Sequence, residues 1–252
     1  MFGKLIKWEF RETAPIYGIL YFLALVTALT CHSTGEVWGD IQKMSISFTF
    51  LNVTILATLA VYFVAAIWRY YDGLYRGRGY LTFSLPVQGW MVVLSRFLTA
   101  ALWGVLSTAV LIGLFWLMLQ NQTIGDVGEV TLGSIALTAF KEVIQETGYE
   151  WNTVIFWGII NLVCSGLCTL ARCFFCISLG QVFPFGKGNL VAAAVLYWIG
   201  GKLEGWICTG ISNAPGMDVK AVAICVPVLL MGLLLLYLIG TVYLVSKKTD
   251  LR

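Results

Sequence analysis

The chain has 252 residues, of which 59% are apolar and 12% charged, and its mean hydropathy is +0.85. That leaves too little polar surface to coat a soluble globule of this size, so the composition points to an all-α integral membrane protein. The net charge of +3 comes without a basic stripe interleaved with stacking aromatics, which argues against nucleic-acid binding, and the single histidine, His32, excludes His triads and multi-histidine metal sites within one chain.

In chain order, residues 1–13 come first. At helical spacing Phe2, Ile6 and Phe10 share one face with Leu5, while Lys4, Lys7 and Arg11 share another. This pattern reads as an N-terminal amphipathic helix lying in the membrane interface with its basic face toward anionic headgroups. It is not a signal peptide, because no small-x-small cleavage site follows and five further apolar runs do.

Six segments approach the roughly 20 residues needed to cross a hydrocarbon core of about 30 Å: 16–34, 46–68, 97–119, 154–180, 188–208 and 221–245. An even number puts both termini on one side. If that side is cytoplasmic, it holds 12 of the 16 basic residues but only 4 of the 13 acidic ones, as retention of Lys and Arg requires.

The second segment carries Ser45, Thr49 and Asn52 on one face and Ser47, Thr54 and Thr58 nearly opposite. Such hydroxyls act either as interhelical glue or as the lining of a polar path. The connection that follows, residues 69–90, concentrates Arg69, Tyr70, Tyr71, Tyr75, Arg76, Arg78, Tyr80 and Phe83 on the predicted cytoplasmic side. Its aromatics offer contact area and its arginines can pair with carboxylates, so it suits a protein docking surface.

Residues 120–150 form the longest polar interval, an acidic extracellular loop in which Leu137, Phe140, Val143 and Ile144 recur at the spacing of a short amphipathic helix. Asn121-Gln-Thr123 matches a glycosylation sequon, relevant only in a eukaryotic secretory pathway.

In the fourth segment Asn161, Ser165, Cys168, Thr169 and Arg172 make a polar stripe. A guanidinium here must snorkel to the interface, find a partner or meet water. Cys164, Cys168, Cys173 and Cys176 share one apolar helix without nearby histidine and read as small buried hydrophobes rather than a metal framework. Cys31 and Cys208 fall near outer span ends, where a disulfide is conceivable.

In the fifth segment Gly200 and Gly201 weaken the helix just before Lys202 and Glu204, so a broken or re-entrant element is expected. Lys202 and Glu204 would then either form an outer gate or snorkel as a surface pair. Pro227 should kink the sixth segment.

No enzyme motif emerges. The nearest approach to a phosphate-binding loop, Gly180-Gln-Val-Phe-Pro-Phe-Gly186-Lys187-Gly188, has the wrong spacing and no hydroxyl after the lysine.

A basic amphipathic N-terminus, six spans, an aromatic-basic loop running into Gly79-Tyr-Leu-Thr-Phe-Ser-Leu-Pro-Val87, and Ile177-Ser-Leu-Gly-Gln181 closing the fourth span resemble the small six-span bacterial ATP-binding-cassette (ABC) exporter permeases of peptide-antibiotic export and immunity systems. The resemblance covers nearly the whole chain. It implies a single permease domain, residues 1–252, in the cytoplasmic membrane, paired with a second copy or a related permease. Two cytosolic ABC ATPase subunits would bind ATP and Mg, and the chain itself would hold no cofactor and catalyse nothing. The coupling helix of such permeases maps onto 70–85 and their interface helix onto 2–12. Their second and fifth spans line the central path, consistent with the polar faces of the second segment; the candidate path residues are Thr49, Asn52, Asn161, Arg172, Lys202 and Glu204, and the charges at Arg172, Lys202 and Glu204 depart from the usual pattern of the family. The alternatives are a stand-alone secondary transporter or channel, and a non-transporting membrane immunity or sensor protein that binds a toxic peptide through 120–150.

Overall fold

The structure is a computed structural model that describes residues 2–37, 41–75, 89–120, 151–182, 189–214 and 219–248, together with 138, 141 and 142. Its elements are α1 (Phe2–Val37), α2 (Ile41–Tyr75), α3 (Gly89–Gln120), α4 (Trp151–Val182), α5 (Asn189–Ser212) and α6 (Val219–Lys248). All six are long and apolar enough to cross a membrane. At 1.5 Å per residue even α5, with 24 residues, spans about 36 Å. Large apolar side chains project outward from every helix: Phe22, Leu56, Leu102, Phe156, Trp206 and Ile239 are all more than half exposed. Such a surface is tolerated only where lipid or another protein covers it.

The chain divides into two compact units. One comprises residues 1–9, 66–101 and 155–252, the other 10–65 and 102–154.

The second unit is organised by Trp103 of α3, 5% exposed. Its indole stacks with Phe10 and with Tyr17, both at 4.6 Å between ring centroids. The indole N–H donates to Thr13 Oγ1 at 2.8 Å, and Tyr21 Oη meets Ser107 Oγ at 2.7 Å. These contacts correct the expected N-terminal architecture. Residues 2–13 are not a separate interface helix but the opening turns of α1, which runs unbroken through Pro15. Proline removes one helical hydrogen bond, yet the rings on both sides of it, Phe10 and Tyr17, are held by the same indole.

The first unit joins the end of α2, the start of α3 and the helices α4 to α6. Gly180 permits a close approach of α4 to α5, since a Cβ there would lie 2.7 Å from the backbone oxygen of Asn189 at the start of α5. Gln181 Oε1 accepts a hydrogen bond from Asn189 Nδ2 at 3.3 Å. The helices also overrun the apolar segments. α2 continues through Arg69 and Asp72 to Tyr75, and α3 begins at Gly89. A helix needs no lipid to keep its backbone hydrogen bonds, so it need not stop where the apolar run does.

The hydroxyls of the helices are mostly satisfied at home. Thr54 and Thr58 donate to the carbonyls of Phe50 and Thr54, four residues back, Thr209 and Thr241 do the same within their own helices, and Ser165 donates to Leu162 O, three residues back. Of the 120–150 loop, Thr138, Lys141 and Glu142 are helical and exposed, while Leu137, Phe140, Val143 and Ile144 lie outside the described residues.

Candidate functional site

The most unusual chemistry lies where α4, α5 and α6 meet in the first unit. Arg172 of α4 and Glu204 of α5 form an ion pair with side chains only 9% and 12% exposed. The second carboxylate oxygen, Glu204 Oε1, accepts a 2.7 Å hydrogen bond from Tyr237 of α6, and the Cys168 thiol lies 3.8 Å from it. The guanidinium also sits over the Tyr197 ring at 4.5 Å.

Local sequence explains the arrangement. Tyr197, Gly201 and Glu204 are spaced four and three apart, so they share one face of α5, and Cys168 and Arg172 share one face of α4. Gly200 and Gly201 make room: a Cβ on either would lie 3.2 to 3.3 Å from Arg172. α5 is therefore continuous through the glycine pair, and the expected break or re-entrant element is absent from it. The glycines serve a close approach of a long side chain rather than a bend.

The site also separates Lys202 from Glu204, which the sequence groups as an outer gate or as two charges snorkelling at the surface. Residues two apart on a helix point nearly 200° apart and cannot face each other. Glu204 turns inward to Arg172, whereas Lys202 is exposed, 5.7 Å from the centroid of Trp198. Arg172 is held by Glu204 and the Tyr197 ring, the partnered outcome among the sequence alternatives. It lies 10 residues from the end of α4 and Glu204 lies 8 from the end of α5, so each is at least about 12 Å along its axis from a terminus.

Electrostatics separates this cluster from ordinary packing. Two charges taken out of water are stabilising only when their remaining hydrogen-bonding groups are satisfied. Arg172 Nε is buried and makes no hydrogen bond among the described residues. A cluster that costs stability at this depth in an apolar bundle has the marks of a functional site.

The other sequence candidates go elsewhere. Asn161 donates to Ala223 O of α6 at 3.4 Å and to Trp157 O at 2.9 Å, which makes it a link between helices. Thr49 and Asn52 are exposed on α2 in the other unit. Cys168, Cys173 and Cys176 are buried, and Cys208 is a free thiol.

A second polar assembly sits at the end of α2. Tyr70 is fully buried, stacked on Phe174 at 4.0 Å and hydrogen-bonded through its hydroxyl to Ser178 at 2.7 Å. It is a packing residue, and its ring is not available to dock another protein. Arg96 of α3 donates to Tyr70 O at 3.4 Å and to Gly73 O at 3.1 Å, so it caps the last carbonyls of α2. Glu9 lies between Arg96 and Arg69, at 3.3 and 3.8 Å. Tyr71 and Tyr75 are half-buried, and Arg76, Arg78, Tyr80 and Phe83 lie outside the described residues.

Tyr197 and Tyr237 were missed by sequence reasoning. The four-three spacing of Tyr197, Gly201 and Glu204 could have flagged the first, but Tyr237 is an ordinary aromatic in an apolar run and gives no signal. No family model, no curated protein and no solved structure matches the chain.

Proposed function

We propose that this chain is the membrane-embedded permease subunit of an ABC exporter in the cytoplasmic membrane, with both termini in the cytosol. It moves an amphipathic compound such as a peptide antibiotic outward, using ATP hydrolysed by a separate cytosolic subunit and working with a second permease copy or a related permease.

One observation carries this reading. The helical base of the arginine-tyrosine connection is fastened to two neighbouring helices, by Arg96 to α3 and by the Tyr70 ring and hydroxyl to Phe174 and Ser178 of α4. A displacement applied to residues 76–88 would be passed to α4, where Arg172 stands two residues before Phe174. Force entering at the connection would thus bear on the helix that holds the buried ion pair. The sequence has no nucleotide-binding loop of its own, so such force would come from a partner.

The test is purification of the full chain from its native membrane without crosslinker, followed by identification of any ATPase that travels with it. Replacing Arg76, Arg78 and Tyr80 together by alanine should reduce that association. Undiminished co-purification, or transport that needs no ATP, defeats the proposal.

The Arg172–Glu204–Tyr237 cluster supports a second reading, a stand-alone secondary transporter in which the carboxylate exchanges partners as the helices move. Vesicles containing only this chain separate the two: uptake driven by an ion gradient alone favours the second.

A further inference from the structure

In the first unit a cavity of about 300 Å³ opens between the first turns of α1 and the start of α3. Leu5, Trp8 and Val92 give it apolar walls, while Lys4, Glu9 and Arg96 bring charge to it. Neither the exporter reading nor the ion-pair cluster makes use of this space.

Its chemistry is divided. Glu9 is turned toward Arg96 and Arg69, at 3.3 and 3.8 Å, so its carboxylate is engaged by two guanidinium groups. Lys4 is exposed at the cavity and adds a further positive charge. Cations thus outnumber carboxylates here, while the walls behind them are hydrocarbon. Trp8 is 62% exposed, and Trp90 pairs with Phe2 at 6.2 Å between ring centroids. Tryptophans half out of a helical bundle favour the level where headgroups meet acyl chains.

We propose that this cavity binds one anionic phospholipid, with the headgroup phosphate against Lys4 and Arg96 and the upper part of an acyl chain against Leu5, Trp8 and Val92. A lysine supplies a point charge suited to phosphate, and Arg96, already oriented by the α2 carbonyls, presents its charge without further ordering. A free phosphate ion would use the cations but leave the apolar walls wet. A zwitterionic lipid would fill the walls but bring its own cation to the charged rim. The inference rests on the membrane-spanning reading of the helices and not on export.

Native mass spectrometry of the full chain in detergent, titrated with phosphatidylglycerol, phosphatidylcholine or inorganic phosphate, tests it. One phosphatidylglycerol should be retained in preference to phosphatidylcholine, and millimolar inorganic phosphate should not displace it. Lys4→Gln should lower the preference by about fivefold, the factor expected of one basic residue at an anionic surface. Leu5→Trp, which fills the cavity and leaves its charges intact, should abolish retention while an unchanged melting temperature confirms the fold. Lys7→Gln removes an exposed charge from the same helix outside the cavity and should leave retention as it was. Equal loss in the Lys4 and Lys7 variants would show diffuse surface attraction and overturn the proposal, as would equal retention of the two lipids, unaltered retention in Leu5→Trp or displacement by inorganic phosphate. Failure of the chain to insert into lipid vesicles would overturn the membrane reading along with this inference. An inserted chain with no anionic preference overturns this inference alone.

Discussion

Arg172 and Glu204 stand 32 positions apart in sequence and form an ion pair between α4 and α5 with about nine-tenths of each side chain buried. Removing one partner strands the other charge, which costs roughly 3–5 kcal/mol. Arg172→Met and Glu204→Gln should each lower the melting temperature in detergent sharply. The double variant Arg172→Met/Glu204→Leu should recover most of it, because no charge is then buried alone. If the pair serves transport, the double variant stays inactive despite its recovered stability, and activity at the wild-type level would show the pair to be structural.

Tyr237→Phe deletes the hydroxyl that donates to Glu204 Oε1 at 2.7 Å and leaves the ring in place against Phe175. Loss of one donor to a buried carboxylate should cost about 1–3 kcal/mol, read as a lower melting temperature. The effect should vanish when Glu204 is already leucine, since the two residues act through one bond. A double-mutant cycle measures this directly.

Gly201→Ala and Gly205→Ala should act in opposite directions although both replace glycine by a better helix former, a change worth about 1 kcal/mol. A Cβ at Gly201 would lie 3.3 Å from the Arg172 guanidinium, while one at Gly205 meets nothing within 4 Å. The guanidinium is held between Tyr197 and Glu204 and has little room to yield. Thermal melts should therefore show Gly201→Ala below wild type and Gly205→Ala above it, and the Gly201 deficit should shrink when Arg172 is methionine.

Tyr70 and the connection beyond it should separate packing from docking. Tyr70→Phe loses the bond to Ser178 and should cost about 0.5–1.5 kcal/mol, and Tyr70→Ala, which empties a site stacked on Phe174, about 3–5 kcal/mol. On the exporter proposal, alanine at Arg76, Arg78 and Tyr80 should reduce ATPase association, whereas Tyr70→Phe should act first on stability. Lys202→Gln, exposed beside Trp198, should melt within about 0.5 kcal/mol of wild type, in contrast to any change at Glu204.

Much of this protein was legible without coordinates. Apolar runs of spanning length are a property of local composition, so six helices long and apolar enough to cross a membrane were readable one at a time, and the described residues contain six. Of the α4 cysteines expected as small buried hydrophobes, Cys168, Cys173 and Cys176 are buried and Cys164 is half-buried. Periodicity also placed Asn161, Cys168 and Arg172 on one stripe, because a helix imposes its own angles on neighbours three and four apart.

What periodicity could not supply was the identity of partners across helices. Whether Arg172 snorkels or pairs depends on which residue of α5 stands opposite, and that is set by the register of two helices packed through Gly200 and Gly201. The same glycines read in isolation as a weakness in the helix, and Glu204 groups with its near neighbour Lys202 as a gate or as surface charges. Composition and spacing determined the helices and their faces because those depend on residues a few positions apart. Packing decided that Tyr70 is buried, that α1 passes intact through Pro15 and that Arg172, Glu204 and Tyr237 converge, because each outcome rests on contacts between residues distant in the chain.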